Sequence, residues 1–237
     1  MCNKTLYCHL NVHQNSYAHL VDLFKRLVDD LKRNHDLNEN DIQKAIDVMN
    51  CNFRRVSHGQ LPIEIDFNDM NFCVGYLHRF ALCHAAMVQK DIVFHVLQSP
   101  PLELLDKLSN NQSLNIVSIG SGPGNDVIGF LSGFHSQCMK LQSLDITVVD
   151  KMSGWNQAFT TAIQILRSDK SNRILSALFQ NGGPVVTTSY IADDLELDNL
   201  STDLEMKLRK ADVILLVKVL SHVPDHKKLL FLRVSHS

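Results

Sequence analysis

Leu114-Asn115-Ile116-Val117-Ser118-Ile119-Gly120-Ser121-Gly122-Pro123-Gly124-Asn125-Asp126 is the stretch that decides the architecture. A short β-branched run ends in three glycines spaced two apart, and an apolar helical pattern follows. The reading is a buried strand, a tight turn and a helix. Gly120, Gly122 and Gly124 have no side chains to hold a ligand away from the backbone N–H groups. The N-terminus of the following helix carries partial positive charge. In an open parallel sheet, such a turn at the carboxyl end of a strand is where ligands bind.

Downstream the same grammar repeats. Leu144 to Val149 is a second strand and closes on Asp150. An acid at that place sits beside the glycine turn and can accept two hydrogen bonds from a ribose diol, so the pair points to nucleoside recognition. The spacing is Gly-x-Gly-x-Gly, with Asn125 where a dinucleotide fingerprint wants its third glycine, which disfavours a nicotinamide dehydrogenase. Val185 to Tyr190 and Asp212 to Val219 supply two more strands, reached through helical stretches at Trp155 to Phe179 and Ser201 to Lys210. Strands alternating with helices predict an α/β domain built on a doubly wound parallel sheet.

Upstream the pattern is wholly helical. Tyr17, Leu20, Val21, Phe24, Leu27, Val28 and Leu31 make a 3.6-residue stripe over Asn15 to Asn34. A second helix is expected from Asn40, where Asn40 and Gln43 imitate a capping box ahead of Ile42, Ala45, Ile46 and Met49. A third region, Asp69 to Leu97, presents Phe72, Tyr76, Phe80, Cys83 and Met87 before Pro100-Pro101 ends it. Tyr76, Arg79 and His84 on that stripe are candidates for a lid over a bound cofactor. The expected organisation is a helical N-terminal cap at 1–110 and a ligand-binding domain at 111–237.

Composition narrows the function classes. Lys and Arg number 23 against 25 Asp and Glu, a net charge of −2. No overall positive field draws the chain to nucleic acid or an anionic surface. Lys25-Arg26, Lys32-Arg33 and Arg54-Arg55 leave RNA open as a substrate, although charge pairs on helices usually form a solvated face. No apolar run approaches the ~20 residues of a membrane-spanning helix. Met1 to His9 lacks the apolar core of a secretory signal, and the six scattered cysteines read as reduced thiols. An intracellular chain is expected, in the cytoplasm or the nucleus. Cys2, Cys8, His9, His13 and His19 crowd the N-terminus without the tight paired spacing of a zinc site, so no metal is expected.

With these residues in place, the chain resembles the class I S-adenosylmethionine-dependent methyltransferases over Leu114 to Leu230, about half its length. The resemblance implies a Rossmann-like sheet and S-adenosyl-L-methionine as cofactor. It assigns the methionine part to Gly120-Ser121-Gly122-Pro123-Gly124 and the ribose to Asp150. The adenine amine falls to Asp193-Asp194, with Asp194 preferred. Ser118 stands where the family commonly has an acid, and Asp126 is the residue that could supply that bond. Ala211 to Asp225 corresponds to the fourth strand and the loop facing the methyl acceptor, which makes Lys218, Ser221 and His222 the acceptor-side candidates. Family members have three further strands, so the sheet is expected to be incomplete after the fourth and the chain a truncated form. An open edge there predicts self-association or a protein partner. The resulting expectation is methyl transfer to an acceptor the sequence does not identify. The rival is a non-catalytic methyltransferase-like binding module, or a shortened isoform acting through a partner.

Overall fold

The computed structural model describes residues 17–61, 63–99, 101, 104, 106–107, 110, 112–168, 174–194 and 200–217. Its centre is a sheet of β1 (Ser113–Ile119), β2 (Ser143–Asp150), β3 (Val185–Ala192) and β4 (Val213–Leu215). All pairings are parallel and the order is β3-β2-β1-β4, so the chain winds outward from β1 to β3 and returns to the other side of β1. The protein is therefore α/β. The fourth strand, expected over Asp212 to Val219, is shorter: it starts at Val213 and ends at Leu215, Leu216 and Val217 are not in a strand, and residues 218–219 lie outside the described residues.

Alternation along the strands separates two cores, because successive side chains leave a strand on opposite faces. Leu114 and Ile116 join Leu144, Ile146 and Val148 in the larger cluster, on the face where the helices that follow β1 and β2 pack. These helices are α5 (Asn125–Gly133), α7 (Trp155–Ser168) and the short α8 (Leu175–Phe179). Val117, Ile119 and Val149 point the other way, onto Leu204 and Leu208 of α9 (Thr202–Lys210). Helices thus lie on both faces. The long helical stretch expected at Trp155 to Phe179 is two pieces, α7 and α8, and α6 (His135–Cys138) adds one turn before β2.

The N-terminal region consists of α1 (Ala18–Asn34), α2 (Glu39–Ser57), α3 (Met70–Tyr76) and α4 (Leu82–Asp91). Two wider π-helical segments, Leu77–Ala81 and Ile92–Val96, follow α3 and α4. Three expectations are corrected here. Val21 of the predicted stripe is 48% exposed, and Leu23 takes its place in the core at 1%. The second helix is capped by Asn38, whose side chain accepts the Asp41 N–H at 2.9 Å, so the Asn40 capping box does not form. The third region is interrupted by π turns that periodicity alone cannot show.

This region does not stand apart from the sheet, since residues of α1 to α4 share the larger cluster with β1, β2, α5 and α7. The seam between α4 and α5 is made by glycine. A Cβ on Gly129 would lie 2.3 Å from the Ala85 carbonyl oxygen, and one on Gly133 would lie 3.1 Å from Ile92 Cγ2. Gly129 and Gly133, four residues apart on one face of α5, let the two helix backbones approach closely.

On the α9 side, Asn115, Asp145, Thr147 and Ser189 line a mid-sheet groove of about 360 Å³. Asp145, Lys207, Thr147 and Ser189 among its polar residues are paired. Thr187 Oγ1 and Lys207 Nζ donate to Asp145 at 3.0 and 2.8 Å, and the Thr147 and Ser189 hydroxyls are 2.9 Å apart.

Candidate cofactor site

The turn after β1 has the geometry its glycines require. Gly120, Gly122 and Gly124 have φ of 63°, 53° and 81°, all in the left-handed region that side chains disfavour. Gly120 N–H donates to the Val149 carbonyl at 2.8 Å, which ties the turn to the end of β2. Gly124 is the cap of α5, and a Cβ there would come within 2.7 Å of the Phe159 ring. That glycine serves the packing of turn against α7. Gly122 is different, since a Cβ there would rest 3.4 Å from Trp155, an ordinary contact.

Asp150 stands beside the turn as expected. Its Oδ2 accepts the Gly122 N–H at 3.0 Å and its Oδ1 the Met152 N–H at 3.1 Å. The carboxylate therefore clamps the glycine turn to the loop after β2. Each oxygen has a second acceptor direction. Burial raises its pKa, opposed by the Met152 and Gly122 N–H bonds and by the Lys151 charge.

The aromatic wall comes from both halves of the chain. Trp155, buried at the start of α7, packs its ring 4.6 Å from Phe67 and 5.2 Å from Tyr76. Tyr76 and His84 of the expected lid are joined, with the phenol oxygen 2.8 Å from His84 Nδ1. Burial raises the Tyr76 pKa, and the Asp126 and Asp150 charges raise it further, so the phenol keeps its proton. Tyr190 on β3 donates to the Met152 carbonyl at 2.7 Å, and burial again pushes its pKa up. Arg79 lies within the first π segment.

Other predicted residues are placed as follows. Asp126, 2% exposed in the first turn of α5, accepts from Asn125 Nδ2 at 2.8 Å. Ala192 of β3 pairs with Asp150, which brings the following Asp193-Asp194 to the same end of the sheet. The Asp193 carboxylate accepts the Ser201 N–H at 3.0 Å and is buried, whereas Asp194 is half-buried. Lys218, Ser221 and His222 lie outside the described residues, as do Cys2, Cys8, His9 and His13. Among the described residues no group of three His, Cys, Asp or Glu side chains is arranged to hold a metal, and no helix is long and apolar enough to cross a membrane.

Three polar atoms at the turn and its two flanks are buried without a hydrogen-bond partner: Ser118 Oγ near the end of β1, Ser121 Oγ in the turn and Asn125 Oδ1 at the start of α5. Leaving such a group unmade costs about 1–3 kcal/mol, so the turn gains when a polar ligand or water reaches them. Sequence reasoning missed Phe67, Asn68, Trp155 and Tyr190. The one legible signal was that Trp155, the single tryptophan, follows Asp150 by five residues. No family model, curated protein or solved structure matches the chain.

Proposed function

We propose that this chain binds S-adenosylmethionine at the glycine turn and transfers its methyl group to a nucleophilic acceptor, on a Rossmann-like, doubly wound sheet. One observation carries the reading. The left-handed turn at Gly120 to Gly124 and the Asp150 carboxylate meet through the Gly122 N–H, at the carboxyl ends of parallel strands, next to the point where strand order reverses. The residues fit such a cofactor. Asp150 keeps acceptor capacity for a ribose diol, and the orphaned Ser118, Ser121 and Asn125 atoms offer polar partners at the turn and its two flanks. Asp193 and Asp194 are the acids nearest in sequence to that end of β3, and the resemblance prefers Asp194, the acid followed by leucine. When bound, the cofactor supplies a methyl group on a sulfonium whose leaving group is a neutral thioether. The chain's part is to hold the nucleoside, orient the methyl and exclude water.

Titration with S-adenosylhomocysteine, followed by calorimetry and by fluorescence of the single tryptophan, tests this. Trp155 packs against Gly122, so saturable binding should change its emission. Absence of heat and of any spectral change at millimolar ligand would sink the reading. A non-catalytic binding module has one observation in its favour, because Asp150 and Gly124 already serve the turn's own structure. Binding without transfer from labelled S-adenosylmethionine to any fraction of a cell extract would favour it.

A further inference from the structure

The loop from Lys151 to Trp155 joins Asp150 to the tryptophan over the glycine turn, and it is held from outside the sheet. Asn68, between α2 and α3, accepts the Gly154 N–H on Oδ1 at 2.9 Å and the Ser153 hydroxyl at 3.2 Å. Its Nδ2 donates to Asp66 Oδ1 at 2.9 Å, and its own N–H donates to the same oxygen at 2.9 Å, which fixes the side chain's direction. The seam has no slack. A Cβ on Gly154 would stand 2.4 Å from the Phe67 carbonyl oxygen and 2.7 Å from Asn68 Cα. Phe67 itself packs on Trp155, and its carbonyl receives the Cys73 thiol.

We infer that Asn68 is a positioning residue for the nucleoside site, one that sets ligand affinity through the 151–155 loop without touching the ligand. This inference rests on the proposed cofactor reading. The chain of contacts is short: Asn68 holds Gly154 and Ser153, the loop holds Met152, and the Met152 N–H orients the Asp150 carboxylate. Coupling of this kind is reciprocal. Ligand that orders the loop must tighten the 66–76 segment by the same factor. The N-terminal helical region is then a working wall of the site.

The test compares wild type with Asn68→Ala and with the exchange Asp66→Asn/Asn68→Asp, which keeps an acceptor at 68 and a donor at 66. Gly154→Ala is a second, independent wedge in the same seam. S-adenosylhomocysteine should bind Asn68→Ala and Gly154→Ala about tenfold more weakly, the loss expected for about one hydrogen bond's worth of positioning. The exchange variant should recover most of the affinity. In wild type, ligand should slow amide hydrogen exchange across 66–76. Undiminished affinity in Asn68→Ala, with the fold retained by circular dichroism, overturns the inference. If wild type itself does not bind the probe, the cofactor reading fails, and the seam is judged by Gly154 amide exchange alone. Faster exchange in Asn68→Ala upholds Asn68 as the residue that holds the loop, and unchanged exchange refutes it.

Discussion

Replacing Gly122 and Gly124 one at a time by alanine separates ligand approach from packing inside the glycine turn. Both residues have positive φ, so alanine at either pays the left-handed backbone cost, about 1–2 kcal/mol. At Gly122 the new methyl meets Trp155 at 3.4 Å and adds little more. At Gly124 it lands 2.7 and 3.0 Å from two ring carbons of Phe159, a buried residue of α7, with Val148 of β2 3.6 Å away. Overpacking of that kind costs a further ~1–3 kcal/mol. The expected destabilisations are about 1–2 kcal/mol for Gly122→Ala and about 2–5 kcal/mol for Gly124→Ala. For a chain of this size each kcal/mol lowers the melting temperature by about 2–4 °C. Thermal and urea unfolding followed by far-ultraviolet circular dichroism measure the difference without relying on Trp155, which would report the local change. Binding should show the reverse order per unit of lost stability, with Gly122→Ala losing S-adenosylhomocysteine while the fold persists. Valine is the poorer probe at 122, because β-branching adds strain to a left-handed backbone. Equal destabilisation by the two alanines would refute the division of roles.

Asp150→Asn removes the charge that holds the Gly122 and Met152 N–H groups, and each charge-assisted bond is worth about 1.5–3 kcal/mol, so probe affinity should fall at least tenfold by calorimetry. Burial raises the Asp150 pKa, whereas hydroxyl donors of a ribose favour the ionised form. Probe affinity should therefore rise with pH through the native Asp150 pKa, with a proton released on binding, and a flat profile would place the diol elsewhere. The apoprotein shows the opposite sign, since the Asp150 contribution to stability falls as pH climbs from 3.8 toward that raised value. His19, in contact with Ser132, is held down to about 4 from 6.5 by burial and then by the His135 charge. Its unfolded form binds more protons between those values, so stability is full above 6.5 and lost as pH falls toward 4. The amount is about 1–2 kcal/mol after discounting for partial exposure, and His19→Gln should abolish that part of the pH dependence in urea titrations. Gly129→Ala drives a methyl to 2.3 Å from a carbonyl oxygen of α4 and should cost about 3 kcal/mol or more, measured by urea unfolding, with no direct change at the glycine turn.

Much of the architecture was legible in residue order because it is local. β-branched runs at 114–119 and 144–149, glycines at alternate positions and an acid closing the second run specify strand, turn and helix within a few residues. The apolar stripes of α1 and α2 likewise announce which faces are buried. The departures are local: Asn38 takes the cap in place of Asn40, and Leu23 is buried where Val21 is exposed.

Long-range packing set how distant segments divide the work at one place. Sequence could name Gly120, Gly122 and Gly124 together. Only the placement of Phe159 and Trp155 shows that Gly124 is required for packing while Gly122 carries the N–H that meets Asp150. Asn68 carries no periodic or motif signal, since its partners Ser153 and Gly154 lie 85 and 86 residues away. Periodicity reports which face of an element is buried and cannot report what it is buried against. The joining of Tyr76 with His84 across a π turn, and of both halves of the chain in one core, follows from that second question, which is answered only when the helices are packed.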